Sequence, residues 1–472
     1  MILSDDDIKQ ITNHGLAVQE VTRQIADFAR GFPFADIVRP ATVTDGGIQE
    51  MNYATRKEYI DTYQNCAKTH TVVKFVPASG AATRMLRDLF SFLESGELND
   101  TARRVCEHAR MLAFYDELQL GENATNTDIA RAIVNKYGNM PKGLVPFHKY
   151  NNGAEVRTPI AEHMVEGAKY AVSNGGVVNM HFTVSPEHRG AFADEINKTA
   201  PKYAERFGVK YNITMSEQDP STDTIAVNPD NTPFRTEEGA LLFRPAGHGA
   251  LIKNLNEIDA DIVFIKNIDN VCTDAVASDT IEYKQALAGM LISVQGQIFE
   301  SLHELDNGTG DVNKIAEFVK TVLCTDVAPN TDELKKILNR PLRVCGMVKN
   351  TGAPGGGPFW VKNMGLQIIE SSQIAPDARD IMNKSTHFNP VDLVCGVRDY
   401  MGNKFNLMNY IDENAGFISD KSYAGRPIRA MERPGLWNGA MARWNTVFVA
   451  VPATTFNPVK TVADLLTPAH ND

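Results

Sequence analysis

The sequence predicts an α/β fold, a mostly parallel mixed sheet flanked by helices. Three observations carry the prediction. Short apolar runs at 72–76, 177–184, 262–265, 342–350 and 446–451 have the length and composition of buried strands. Stretches with apolar residues at helical spacing lie between them. From residue 71 to 215 the two kinds alternate, which is the mark of a parallel sheet with helical crossovers.

Residues 1–60 read as a helical N-terminal region. Ser4 followed by Asp5, Asp6 and Asp7 is a helix start, and Ile8, Ile11, Leu16, Val18, Val21, Ile25 and Phe28 give a loose amphipathic face that Gly31 and Pro33 end. TVVKFVPASGAATRMLRDLFSFL (71–93) passes from a strand, through a small-residue loop, into a helix marked by Ala82, Met85, Leu86, Leu89, Phe90 and Leu93. Residues 98–138 are mostly helical, either an insertion or a lid over a binding site. In MPKGLVPFHKY, Pro141 and Gly143 oppose regular structure. TPIAEHMVEGAKYAVS (158–173) is a helix with Pro in its first turn. A strand at 177–184, a helix at 186–206 and a strand at 211–215 follow. LLFRPAGHGALIKNLNEIDADIVFIKNIDNV (241–271) holds a strand end, a two-glycine turn, a short helix and the clearest strand of the chain, 262–265. Residues 281–340 are helical. LRVCGMVKN (342–350) is a strand leading to TGAPGGGPFW, whose glycines and prolines read as an open loop. Near the end, residues 446–451 form a strand, and Val462, Leu465 and Leu466 mark a short helix after Pro458 and Lys460. The expected organisation is a helical region at 1–60, an α/β core at 61–400 with its insertion at about 98–138, and a C-terminal part at 401–472 that completes the sheet.

Chemistry concentrates where these elements meet. Strand, small-residue loop and helix start form an anion-binding geometry, because the first helical N–H groups lack partners and the dipole favours negative charge. Arg84 falls in the first turn of that expected helix, where the dipole alone favours an acid; the misfit points to a phosphate nearby, and the alternative is an ordinary strand–helix turn with a surface Arg. Lys142 is a second candidate cation, or else a surface lysine on its loop. Ligands of open parallel sheets bind beyond the carboxyl ends of strands, so Asp269, just past the 262–265 strand, is a candidate metal ligand; the alternative is an Asx turn made by Asp269 or Asn270. The glycines of RPAGHGA would let backbone approach a flat ligand. Phe359 and Trp360 would close over a sugar ring or anchor their loop.

Composition narrows the classes. The 472 residues carry a net charge of −11, with 43% hydrophobic and 22% charged residues. A duplex nucleic-acid partner would need a basic footprint. No apolar run reaches membrane-spanning length, and the acidic start MILSDDDIKQI has no basic-then-apolar leader. The six cysteines show no CxxC or zinc spacing. A cytoplasmic protein with reduced thiols and no nucleic-acid or membrane partner is expected.

Five of these segments, in order, resemble motifs of the sugar-nucleotide pyrophosphorylases. VPASGAATRM is similar to their G-x-G-T-R-M loop: Gly80, Thr83, Arg84 and Met85 match, while Ala82 replaces the second glycine. PKGLVPF resembles P-K-x-L-x-P, with TPIAEHMVEGA as the helix that follows. RPAGHGAL resembles the P-x-G-H-G turn of the UDP-sugar enzymes, and IKNIDNV their N-x-D-N-L. FNPVKTVADLL resembles the F-x-P-V-K-T-x-x-D-L-L of eukaryote-type UDP-glucose pyrophosphorylases. As a whole the chain is similar to a bacterial family of unknown function, typical of Bacteroides relatives, within that superfamily. The sequence departs from the pattern at Ala82, which narrows the approach for a triphosphate. It departs again in the long link from Arg84 to Lys142, and where GGGPFWV stands in place of a G-x-x-x-V-E-Y segment.

The resemblance implies a GT-A-like (Rossmann-type) nucleotidyltransferase core that joins a nucleoside triphosphate, UTP above all, to a sugar 1-phosphate. It implies that Arg84, Lys142 and Lys460 are the catalytic cations and that Asp269 holds Mg²⁺. Val76, Pro77, Ala78, Ser79, Gly80, Ala81, Ala82, Thr83, Gln218, Pro245, Gly247, His248 and Gly249 would contact the nucleotide. Asn267, Gly352, Phe359 and Trp360 would contact the sugar. Two alternatives stand beside it: a non-catalytic nucleotide or sugar-nucleotide binder, and a GT-A glycosyltransferase. The latter needs a D-x-D-like metal motif, and DAD at 259–261 precedes its strand rather than following it.

Overall fold

A computed structural model describes residues 3–352 and 355–471. The chain divides into two units, each drawn from three separated segments. The first comprises Met1–Met51, Glu217–Asp261 and Met290–Ala450, and the second Asn52–Ser216, Ile262–Gly289 and Val451–Asp472.

The second unit is built on parallel strands. β1 (Val72–Pro77), β2 (Val177–Val184), β3 (Lys210–Glu217) and β4 (Ile262–Lys266) lie in the order β4-β1-β2-β3. β1 pairs in parallel with β2 on one side and β4 on the other, with Val73 opposite Asn179 and Val72 opposite Ile262. Parallel neighbours need crossovers, and the helices Pro159–Tyr170 and Arg189–Phe207 supply two. The first begins cleanly: Thr158 accepts from the Ala161 N–H, and Pro159 sits where a missing N–H costs nothing. Ile160, Met164, Val165, Phe192 and Ile196 cover Val76, Val178, Met180 and Phe182 in one core. Residues 98–138 are helical as expected, with Asp100–Glu107 and Asn126–Tyr137 the longest pieces. They share a core with Arg87–Ser95 and with Val462–Leu466 from the end of the chain.

The first unit has a mixed set of strands. β5 (Leu342–Lys349) pairs antiparallel with β6 (His387–Gly396) and parallel with β7 (Asn445–Ala450). The helices Asp5–Asn13 and Val18–Arg30 pack Ile11, Val21 and Phe28 against Ile225, Val227 and Leu241.

Three local expectations change. The helix expected from Ala82 is a 3-10 turn, Ala82–Arg84, and the α-helix begins only at Arg87. An antiparallel bridge between Ala81 and Pro141 holds the chain extended up to that point: the Ala82 N–H goes to the Met140 carbonyl and the Lys142 N–H to that of Gly80. Arg84 therefore precedes the helix, and the acid its first turn favours is present as Asp88. Next, the expected loop at GGGPFW contains a strand, Gly357–Val361, held on both sides by Ile37–Pro40 and Gly365–Ile369. Glycine content suggested a loop, but two flanking ladders satisfy this backbone. Ala353 and Pro354 of the same stretch lie outside the described residues. Third, Ile37–Pro40 is itself a strand within the region read as wholly helical.

Candidate active site

The carboxyl ends of β1 and β4 carry the loops on which the candidate site stands. Pairing continues past both strands: the Ala78 N–H donates to Thr183 and the Ile268 N–H to Pro77. The chain then turns at Asn267–Asn270, where the Asn270 N–H meets the Asn267 carbonyl. The side chains do not close this turn as an Asx turn would. Asn270 Oδ1 instead accepts from the Asn457 N–H at 2.8 Å, and Asp269 faces Lys142.

Lys142 joins three segments. Its Nζ lies 2.7 Å from Asp269 Oδ2 and 2.7 Å from the Val459 carbonyl oxygen. The Val459 N–H returns to the Asp269 carbonyl at 3.0 Å, and the Val462 N–H donates to Met85 at 2.9 Å. Backbone bonds thus tie the loops carrying Arg84, Lys142, Asp269 and Lys460 into one assembly, although up to 376 positions (460 − 84) separate them in sequence. The Lys142 and Asp269 side chains are 12% and 21% exposed, so the pair is shielded but reachable. Arg84 is exposed, and among the described residues nothing neutralises it. Lys460 is exposed too, with its ammonium 5.7 Å from the Phe456 ring centre and its backbone N–H on Asp464.

The loop itself needs correction. Ala82 is fully buried and its N–H is spent on Met140, so it offers nothing to a ligand. Its methyl group lies in the core with Met85 and Leu86, and does not narrow the approach as expected. Val76 and Ala78 are also fully buried. The exposed part is Ser79, Gly80 and Ala81, followed by Thr83, whose hydroxyl donates to Gly138. Gly80 faces open space.

Behind the loops sits a charged group that sequence reasoning missed. Glu166 is buried between Lys74 and Lys266, with Nζ···O distances of 2.9 and 2.7 Å. Burial opposes its ionisation, but the two ammonium groups outweigh burial and hold the carboxyl well below its usual range. The available signal was a lysine inside VVKFV and another ending IVFIK: an ammonium on a buried strand requires a partner.

Asp269 is the one carboxylate at these loop ends that the motifs single out. Its Oδ2 is taken by Lys142, and no described group engages its Oδ1. Among the described residues no group of three or more His, Cys, Asp or Glu is placed to hold a metal. This donor set fits an ion that takes one carboxylate and completes its shell with phosphate and water, as Mg²⁺ does.

The remaining residues singled out in the sequence belong to the first unit, Asn267 excepted. In the Pro245–Gly249 turn, Gly249 allows close approach of the protein's own backbone, since a Cβ there would lie 2.2 Å from the Pro434 carbonyl oxygen, and Gly247 makes room for the Glu432 carboxylate. His248 stacks on Trp437 at 4.2 Å, and burial pushes its pKa down to about 4. Gln218 donates to Asp223. Phe359 is buried, and Trp360 donates to Asp45 at 2.9 Å with Arg39 over its ring. Gly352 and Phe359 line a cavity of about 350 Å³ with Asn350, Ser385 and His387. The DAD carboxylates Asp259 and Asp261 both pair with Arg398, which leaves no D-x-D metal site there.

A family model described as "Domain of unknown function (DUF4301)" matches residues 4–471. The chain belongs to the DUF4301 family. Among curated proteins, none matches this DUF4301 sequence significantly. In fold, the DUF4301 chain is similar to the UDP-N-acetylglucosamine pyrophosphorylase from Trypanosoma brucei in complex with inhibitor, with a TM-score of 0.51 and 11% identity over 98% of this chain and 79% of that one. Two UDP-glucose pyrophosphorylase variants from Leishmania major are also similar. One gives a TM-score of 0.46, 14% identity and coverage of 98% and 79%. The other, in complex with UDP-Glc, gives 0.47, 14%, and 99% and 79%. The α/β fold of this chain is thus similar to that of a UDP-N-acetylglucosamine pyrophosphorylase. Among the described residues no helix is long and apolar enough to cross a membrane.

Proposed function

We propose that the protein is a sugar-1-phosphate nucleotidyltransferase, using UTP as its nucleoside triphosphate. One observation carries the reading: Lys142 bridges Asp269 and the Val459 carbonyl beside the loops of Arg84 and Lys460. Two exposed cations, an exchangeable ion pair and a glycine loop at the ends of parallel strands suit a triphosphate. In the reaction, an oxygen of the sugar 1-phosphate attacks the α-phosphorus, the bond to the bridging oxygen breaks, and pyrophosphate leaves with the electron pair.

Such a transfer needs alignment and charge neutralisation more than covalent help. Arg84 and the N–H groups of Gly80 and Ala81 hold the β- and γ-phosphates. Lys142 turns from Asp269 to the phosphates when the nucleotide enters, since a compact ammonium on a flexible stem follows a moving charge. Lys460 meets the sugar phosphate. Asp269, released from Lys142, is the residue that would hold Mg²⁺, which when bound neutralises phosphate charge.

The test is a thermal-shift screen of nucleotides with Mg²⁺, followed by pyrophosphate release with a panel of sugar 1-phosphates. Stabilisation by UTP and release with at least one sugar is expected; no release with any pair removes the enzyme. The mutual neutralisation of Lys142 and Asp269 favours a second reading, a binder without turnover. Stabilisation without release would select it.

A further inference from the structure

Helix Pro159–Tyr170 presents His163 to the end of β4. The ring is fully buried. Its Nε2 lies 3.2 Å from the Asn267 carbonyl oxygen and 3.2 Å from that of Ile268. Carbonyls only accept, so Nε2 carries the hydrogen. Nδ1 is then an acceptor, and it has no partner. Burial, helped by Lys74, keeps the ring uncharged. A leucine or methionine would fill this space without a lone pair stranded in the core, which itself is destabilising. What the imidazole adds is a single N–H shared by two successive carbonyls. In an extended strand those carbonyls point to opposite sides. One donor reaches both only where the strand has turned, and here the turn delivers Asp269. The helix cannot drift from this contact, because Lys74 donates to the His163 carbonyl at 3.0 Å and Glu166, one turn on, grips both Lys74 and Lys266.

We infer that His163 is a positioning residue, which fixes the Asn267–Asp269 turn so that the Asp269 carboxylate is aimed for a cation-bound triphosphate. The inference rests on the reading of Asp269 proposed above. Second-sphere donors of this kind orient ligands, and their loss weakens metal affinity.

The test compares the full-length wild type with His163→Leu and His163→Gln, using Mn²⁺ as a paramagnetic probe. Electron paramagnetic resonance measures Mn²⁺ retained with UTP, and thermal melting is followed in parallel. His163→Leu should weaken Mn²⁺ retention by about tenfold or more, while His163→Gln, which keeps an N–H donor, should recover most of it. Recovery of affinity by the amide separates positioning from simple packing, which either apolar or amide substitution would disturb alike. If His163→Leu fails to fold, His163→Phe takes its place in the same comparison. Equal retention by the folded apolar variant and wild type overturns the inference alone, as does a glutamine variant no better than the apolar one. A wild type that retains no Mn²⁺ with UTP overturns the reading of Asp269 and the inference with it.

Discussion

Lys142 and Arg84 are both cations at the same loop ends, yet the structure gives them opposite signatures. Lys142 already has two acceptors, Asp269 and the Val459 carbonyl, and is mostly shielded. Lys142→Met would leave a part-buried carboxylate and a carbonyl without their donor. Stability should fall by about 1–3 kcal/mol in urea unfolding, the usual cost of stranding such groups. Arg84 is exposed and has no described partner, so Arg84→Ala should leave the urea midpoint unchanged. If these charges meet the triphosphate as proposed, both variants should lose kcat/KM in pyrophosphate release on the order of 10² or more. The comparison is sharper than either variant alone. An Arg84→Ala enzyme with unchanged turnover would show that the free cation is a surface residue and nothing more. Asp269→Asn keeps a hydrogen-bond acceptor for Lys142 but loses the charge; turnover should then cease to respond to added Mg²⁺.

At the scale of elements, the decisive contact is Glu166, which clips the helix Pro159–Tyr170 to β1 through Lys74 and to β4 through Lys266. Removing one member of a buried ionic group leaves uncompensated charge, so Glu166→Gln should cost about 3–5 kcal/mol at pH 7. The pH dependence has a definite sign. The folded carboxyl is held well below its ordinary value of 4.5, so its contribution is complete above that value and is lost as pH falls through the folded one. The stability gap between wild type and Glu166→Gln should therefore narrow as pH drops below 4.5; a constant gap would mean the carboxylate is not ionised in place. The same elements show what the sequence could reveal. Strands such as Val177–Val184 were legible because apolar runs report burial directly. The order of loops around Lys142 was legible because motif residues occur in sequence. The 3-10 turn at Ala82–Arg84 was not, because the competing partner, the Met140 carbonyl, comes from a loop 58 positions (140 − 82) away. Nor was the strand Gly357–Val361, whose glycines look like a loop until two neighbouring strands supply their ladders. His163 carried no local signal, since an uncharged buried imidazole differs from a core residue only through the carbonyls it meets.

The whole molecule sets the electrostatic background. Each unit gathers three distant segments, a division that no local pattern announces, since it consists of contacts far apart in sequence. The chain carries a net charge of −11, which repels a triphosphate at long range, while on the proposed reading Arg84 attracts it at contact. Salt separates the two effects. Screening acts over about 10 Å at 0.1 M and about 3 Å at 1 M. Exposed cations lose their hold as the screening length shrinks towards contact distance, whereas screening the global charge relieves repulsion. If Arg84 binds the β- and γ-phosphates, calorimetric UTP affinity in the presence of Mg²⁺ should fall several-fold between about 0.05 M and about 0.5 M salt, because the local attraction is the larger energy at short range. The Arg84→Ala variant keeps the global repulsion, the shielded Lys142 and the backbone N–H groups but lacks this exposed cation. Its weaker affinity should depend less on salt. A wild type no more salt-dependent than the variant would place the triphosphate away from Arg84, and with it the catalytic role proposed for that side chain would fall.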